Sequence, residues 1–138
     1  MKNEKLVYQM NALPAAIAIS YLVFNTWQTI ITLNSINVIA EGLRVMQIIL
    51  LNILLSFMVF IISFEIKRYS VKWSWIGVCA GIFQTLRVFF IPESAAGSWL
   101  NIAVSLLAGG ILLIIASVWS LVMCKKYRQA VKELECLT

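Results

Sequence analysis

Six side chains carry most of what this sequence could offer a ligand: Arg87, Arg44, Gln84, Asn52, Asn25 and Gln28. A guanidinium is a permanent cation with a planar fork of donors, matched to carboxylate and phosphate oxygens. A primary amide both donates and accepts, so it can hold a polar solute or another amide. Two arginines with four amides therefore point to reception of a small anion, such as a carboxylate, a phosphate or a lipid headgroup. They do not point to bond-making chemistry. The chain has no His, which removes bis-His haem, the usual zinc sites and any Ser-His-Asp triad. It also contains no Asp, and none of its Glu falls within the apolar runs described below. A carrier coupled to protons or sodium normally needs a carboxylate at membrane depth, so autonomous coupled transport is disfavoured. Cys79, Cys124 and Cys136 form no Cys-x-x-Cys pair, which argues against thiol oxidoreductase chemistry. Cys79 is expected to be a packing residue. No cofactor, metal or catalytic residue is expected.

The elements that must position these residues follow from hydropathy. Of 138 residues, 62% are hydrophobic and 12% charged; soluble domains have about 45–50% and about 25%. Mean hydropathy is +0.92. A soluble fold this poor in charge could not cover its surface, so a soluble enzyme, a disordered tail and a nucleic-acid-binding domain are all disfavoured. Four apolar runs stand out: Leu13–Leu33, Leu43–Phe64, Trp73–Ile91 and Trp99–Met123. Each has about the 20 residues that a helix needs to cross roughly 30 Å of hydrocarbon. Strands are disfavoured because the runs do not alternate apolar with polar. The expected fold is all-α, an integral membrane four-helix bundle in one domain spanning residues 1–138, with no room for a soluble domain.

Lys and Arg set the expected orientation. Lys2 and Lys5 precede span 1; Lys67, Arg68 and Lys72 lie between spans 2 and 3; Lys125, Lys126, Arg128 and Lys132 follow span 4. The loops after spans 1 and 3 have no basic residue, and each has one Glu, Glu41 and Glu93. Both termini and the central loop are therefore expected in the cytoplasm of a cell-membrane protein. The net charge of +5 is accounted for by this bias and by anionic headgroups, without nucleic acid. Val38-Ile39-Ala40 resembles a signal-peptide cleavage site, but span 1 is too long for an h-region and carries Asn25 and Gln28. Trp73, Trp75, Trp99, Tyr69 and Tyr127 lie near span ends, where amphipathic rings favour headgroup depth. The stretch Lys125–Glu135 is expected to continue span 4 as a helix.

Each span carries a polar or small-residue stripe at helical spacing. The stripes are Ala18, Tyr21, Asn25, Gln28 and Thr32; Arg44, Asn52, Ser56 and Ser63; Ser74, Gly77, Gly81, Gln84 and Thr85; and Asn101, Ser105, Gly109, Ala116 and Ser120. Lipid cannot satisfy amides, so these faces are expected to turn inward. Gly77-xxx-Gly81 would allow another helix to approach closely. By helix rise, Asn25, Asn52 and Gln84 all lie about 2–3 Å to one side of the midplane. They can be hydrogen-bonding glue between helices or the lining of a central site. Arg87 lies about 7 Å outward of the midplane, where it must snorkel, pair or receive an anion. Arg44 sits at the outer end of span 2, three residues after Glu41, a spacing that allows an ion pair.

Two functions remain. The first is a small non-enzymatic subunit of a larger membrane assembly, related to transport, which docks another membrane chain. The second is a self-assembling channel or facilitator for a small solute, anions included. In both, the partners are the lipid bilayer and another membrane chain, either a different subunit or further copies of this one. Cysteine introduced at Ser35 or Ser94 should be labelled from outside intact cells, and cysteine at Ser70 should not. The reverse pattern would overturn the topology.

Overall fold

A computed structural model describes residues 11–36, 39–91 and 97–137, and among them every regular element is helical. Helix α1 is Ala12–Ser35, α2 is Gly42–Ile66, α3 is Val71–Leu86 and α4 is Trp99–Leu137; a four-residue 3-10 turn, Arg87–Phe90, extends α3. With that turn counted as part of α3, all four helices are long and apolar enough to cross a membrane. Lys2, Lys5, Glu93, Ser94 and Val38 of the cleavage-like sequence lie outside the described residues.

The chain runs up, down, up and down. At one end the Asn11 N–H donates to the Lys67 carbonyl at 3.2 Å, and Asn11 Nδ2 donates to Ser120 Oγ at 3.1 Å. Ser74 Oγ and Ser120 Oγ are 2.8 Å apart. These bonds tie the start of α1, the end of α2, the start of α3 and the later part of α4 together. At the other end, Ile36, Val45, Ile102 and Leu106 form an apolar cluster with Val88 and Ile91 packed on it. Between the ends lies a core of Tyr21, Val59, Ile62, Ile66, Leu113 and several alanines. Around the ring, α4 packs broadly on α1 and α3, α2 packs on α1, and the α2–α3 seam is the thinnest.

Three local features follow from residue chemistry. Pro14 falls in the first turn of α1, where its missing N–H costs nothing. Span 3 does not stay α-helical to Ile91 as expected. The α-helix tightens at Arg87, and Ile91 is extended. Pro92 is the cause: it disfavours helical backbone at the residue before it and has no N–H for the carbonyl four residues back. Tyr69, in the turn after α2, has a φ of 60°, an unfavourable conformation for a bulky residue. It stacks on Tyr127 with centroids 4.4 Å apart, a contact worth about 0.5–1.5 kcal/mol beyond burial. Burial, with Cys124 and Tyr127 beside it, holds the Tyr69 hydroxyl above its ordinary pKa, so the stacked ring is neutral near pH 7.

The inward stripes form as expected over most of their length. Tyr21, Asn25, Gln28 and Thr32 of α1 are buried, as are Ser74, Gly77, Gly81 and Gln84 of α3 and Ser105, Gly109, Ala116 and Ser120 of α4. Arg44 and Asn101 depart from this pattern: both are exposed, because they sit at the bundle's edge, where no neighbouring helix covers them. Cys79 is also exposed, and Cys124 is the buried cysteine. Glu65, expected just beyond span 2, is helical and pairs with Arg68 at 3.9 Å.

The small residues fix the α3–α4 approach. A Cβ on Gly81 would lie 2.9 Å from the Gly110 carbonyl, and one on Gly110 would lie 2.9 Å from the Gly81 carbonyl. Gly77 meets Ser117 even more closely. The neighbouring Gly109 instead faces Tyr21 and Phe24 of α1, so the pair Gly109-Gly110 serves two interfaces. Backbone cannot yield as a side chain does, so Gly81→Ala should cost about 1–3 kcal/mol of overpacking, read as a lower thermal midpoint in detergent. Gly97→Ala, with open space around it, should change the midpoint little. A neutral Gly81→Ala would contradict the packing described.

Candidate functional site

The six candidate residues divide into two linked groups. The first is an amide network between α1 and α2. Asn25 Nδ2 donates to the Asn52 carbonyl at 3.0 Å and to Ser56 Oγ at 2.7 Å. Asn52 Nδ2 donates to Thr29 Oγ1 at 2.8 Å and to Gln28 Oε1 at 3.3 Å. Gln28 Nε2 donates to Thr32 Oγ1 at 3.0 Å. Asn25, Gln28 and Asn52 are all buried. The Oδ1 atoms of Asn25 and Asn52 receive no hydrogen bond, so the network is short of donors. It borders a groove of about 430 Å³ lined also by Thr26, Ile53 and Phe57.

The second group surrounds a larger cavity of about 550 Å³ at the end of the bundle where Ile36 and Val45 cluster. Here α2 contributes Arg44, Ile48 and Leu51; α3 and its turn contribute Phe83, Leu86, Arg87 and Phe90. Ile91 after the turn, Gln28 and Thr32 of α1, and Ile102 and Leu106 of α4 complete the lining. Gln28 therefore joins the two groups. The cavity falls between α2 and α3, where the bundle is most thinly packed. Its size is within the roughly 300–1,000 Å³ of ordinary small-molecule sites.

The two arginines differ in their surroundings. Arg44 is exposed and Nη1 donates to Glu41 Oε2 at 3.2 Å, the pairing expected from their spacing. Arg87 is half-buried, and its Nη1 donates to Gln84 Oε1 at 3.0 Å. No carboxylate among the described residues lies within ion-pair distance of Arg87. Gln84 is fully buried, so its carbonyl anchors the guanidinium from the core side. Glu93, the other acid expected on this side, lies outside the described residues.

Gln84 thus sits with Arg87, and no hydrogen bond joins it to Asn25 or Asn52. Asn25, Asn52 and Gln84, alike in depth, do not form one hydrogen-bonded group. Equal depth along a helix does not fix angular position, and Gln84 points to its own helix's arginine. One participant, Thr29, stands outside the polar stripes, as does a second buried polar residue, Asn11, at the other end of the bundle. Thr29 accepts from Asn52 and donates to the Asn25 carbonyl at 2.7 Å; its place four residues after Asn25 is the signal that could have found it. Asn11 lies outside the apolar run, and nothing local marks it as buried.

Chemically, the cavity joins positive charge at its rim to a wall of aliphatic and aromatic carbon. Among the described residues no group of three or more His, Cys, Asp or Glu could hold a metal. No family model, curated protein or solved structure matches this chain.

The amide network can be measured separately from the arginines. In a double-mutant cycle of Asn52→Ala with Thr29→Val, unfolding in detergent should show a coupling of about 0.6–1.7 kcal/mol, the range for interhelical hydrogen bonds. Strict additivity would contradict the bond.

Proposed function

We propose that this chain is a multi-pass cell-membrane protein with both termini cytoplasmic, and a small non-enzymatic subunit of a larger, transport-related membrane assembly. The observation that carries the subunit reading is that the bundle's interior is occupied. Tyr21, Val59, Ile62, Ile66 and Leu113 fill the axis, and Asn25, Gln28 and Asn52 bond to one another and to nearby hydroxyls. Side chains committed in this way supply glue for the bundle and do not form a polar path through one copy. The outer surface is apolar on every helix, including Trp27, Phe57, Phe60 and Trp75, and suits both lipid and a partner helix.

Orientation is supported by the grouping of charge. Lys67, Arg68 and Lys72 lie at the same end of the bundle as the start of α1 and the extension of α4 with Lys125, Lys126, Arg128 and Lys132. Across a bilayer, that end would face the cytoplasm. The α4 helix of 39 residues would be about 58 Å long at 1.5 Å per residue, well beyond the membrane's hydrocarbon. Its basic end would project among headgroups or towards a cytoplasmic partner.

The Arg44 and Arg87 cavity favours a second reading. Several copies could assemble into a facilitator for a small anion, with the path between copies and not through one.

Purification in mild detergent, with mass spectrometry of the co-purifying proteins and anion flux measured in liposomes, separates the two. The subunit reading expects a larger membrane protein at fixed stoichiometry and no flux from the isolated chain. A homo-oligomer that conducts anions on its own would overturn it.

A further inference from the structure

We infer that the cavity between α2 and α3 binds an anionic lipid: a headgroup of one negative charge held by Arg87 and Arg44, with its chain leaving through the seam between the two helices. The inference rests on the membrane reading above, and not on the subunit reading.

Charge is the first argument. Arg87 is half-buried, and among the described residues its one hydrogen-bond partner is the neutral carbonyl of Gln84. A guanidinium withdrawn from water without an acid is costly, and an anion brought to it relieves that cost. Arg44 is already paired with Glu41. Among the described residues the rim, formed by Glu41, Arg44 and Arg87, carries one net positive charge. That balance matches a phosphodiester or a carboxylate better than a doubly charged phosphate monoester.

The wall is the second argument. Apart from the arginines, Gln28 and Thr32, the lining is apolar. Ile48, Leu51, Phe83, Leu86 and Phe90 offer nothing to a hydrated inorganic ion, and a good deal to hydrocarbon. Leu86 and Phe90 are also exposed on the bundle's outside, at 49% and 83%, so the apolar wall continues into the surrounding apolar phase.

The seams between the helices set the route. The α3–α4 seam is closed by glycines meeting backbone to backbone. The α2–α3 seam has no such closure and is the thinnest around the ring. A chain can lie in it without parting a tight interface. Gln84 fixes the guanidinium from the buried side and Gln28 and Thr32 provide polar groups at the base. The headgroup therefore has a defined place and the tail does not.

The test uses the purified full chain alone in dodecyl maltoside, so it is independent of any co-purifying subunit. Dioleoylphosphatidylglycerol, dioleoylphosphatidylcholine and inorganic phosphate are added separately; bound lipid is counted by native mass spectrometry, and the thermal midpoint is recorded. Phosphatidylglycerol should be retained at one molecule per chain and raise the midpoint by several degrees. Phosphatidylcholine and phosphate should do neither at equal concentration. Arg87→Gln should weaken phosphatidylglycerol binding about tenfold or more, and Lys132→Gln, far from the cavity, less than twofold. If Arg87→Gln does not fold, Leu51→Trp fills the cavity with both arginines intact and should displace the lipid. Equal retention of both lipids, unchanged binding in Arg87→Gln or Leu51→Trp, or competition by inorganic phosphate would overturn the inference, the last by marking a site for free anions.

Discussion

A polar group enclosed by apolar surroundings must find its partner within the protein, because nothing around it can serve. That constraint organises this bundle. The Asn25, Gln28 and Asn52 amides bond across α1 and α2, and Ser63 Oγ donates to the Ala15 carbonyl at 2.8 Å on the same interface. Asn11, Ser74 and Ser120 link α1, α3 and α4 at the end where α1 and α3 begin. In a hydrocarbon solvent apolar side chains gain little by leaving lipid for the bundle. Specific bonds and close packing then select one arrangement of four otherwise similar helices.

The two kinds of adhesion are unevenly distributed, and the cavity is a consequence. Between α3 and α4 glycine and serine let the backbones touch. Between α1 and α2 amides and hydroxyls form the join. Neither device operates between α2 and α3 near Arg44 and Arg87, where Ile48, Leu51, Phe83 and Leu86 instead border open space. The tightening of α3 into a 3-10 turn before Pro92 begins at Arg87. The turn alters the register of Phe90 relative to a continuous α-helix, and both side chains line the cavity. A proline beyond the helix thus acts on the shape of the site through backbone geometry.

Much of the architecture was legible in residue types and spacing. Period 3.6 placed Tyr21, Asn25, Gln28 and Thr32 on one face, and all four are buried. The spacing of Glu41 and Arg44 gave their ion pair, and Gly77-xxx-Gly81 marked the close approach that α4 fills. What failed did so for a common reason. One-dimensional spacing says which face of a helix a residue shares, and not which neighbour that face meets or where covering stops. Arg44 and Asn101 follow their stripes but lie past the cover of adjacent helices. Gln84 has the right depth for the amide group and bonds instead to Arg87. Cys79, expected to pack, is exposed, because a small residue can face either way. The cavity itself joins residues from all four helices and has no signature in any one segment.

The bundle rests most directly on polar faces turning inward, and nitroxide scanning along α1 in lipid vesicles tests that. Collision with oxygen, which concentrates in hydrocarbon, should be lowest at Tyr21, Asn25, Gln28 and Thr32. It should be highest at Val23, Trp27 and Ile30, which are 69%, 60% and 49% exposed. A profile with its maxima at Asn25 and Gln28, or with no helical period, would contradict the account.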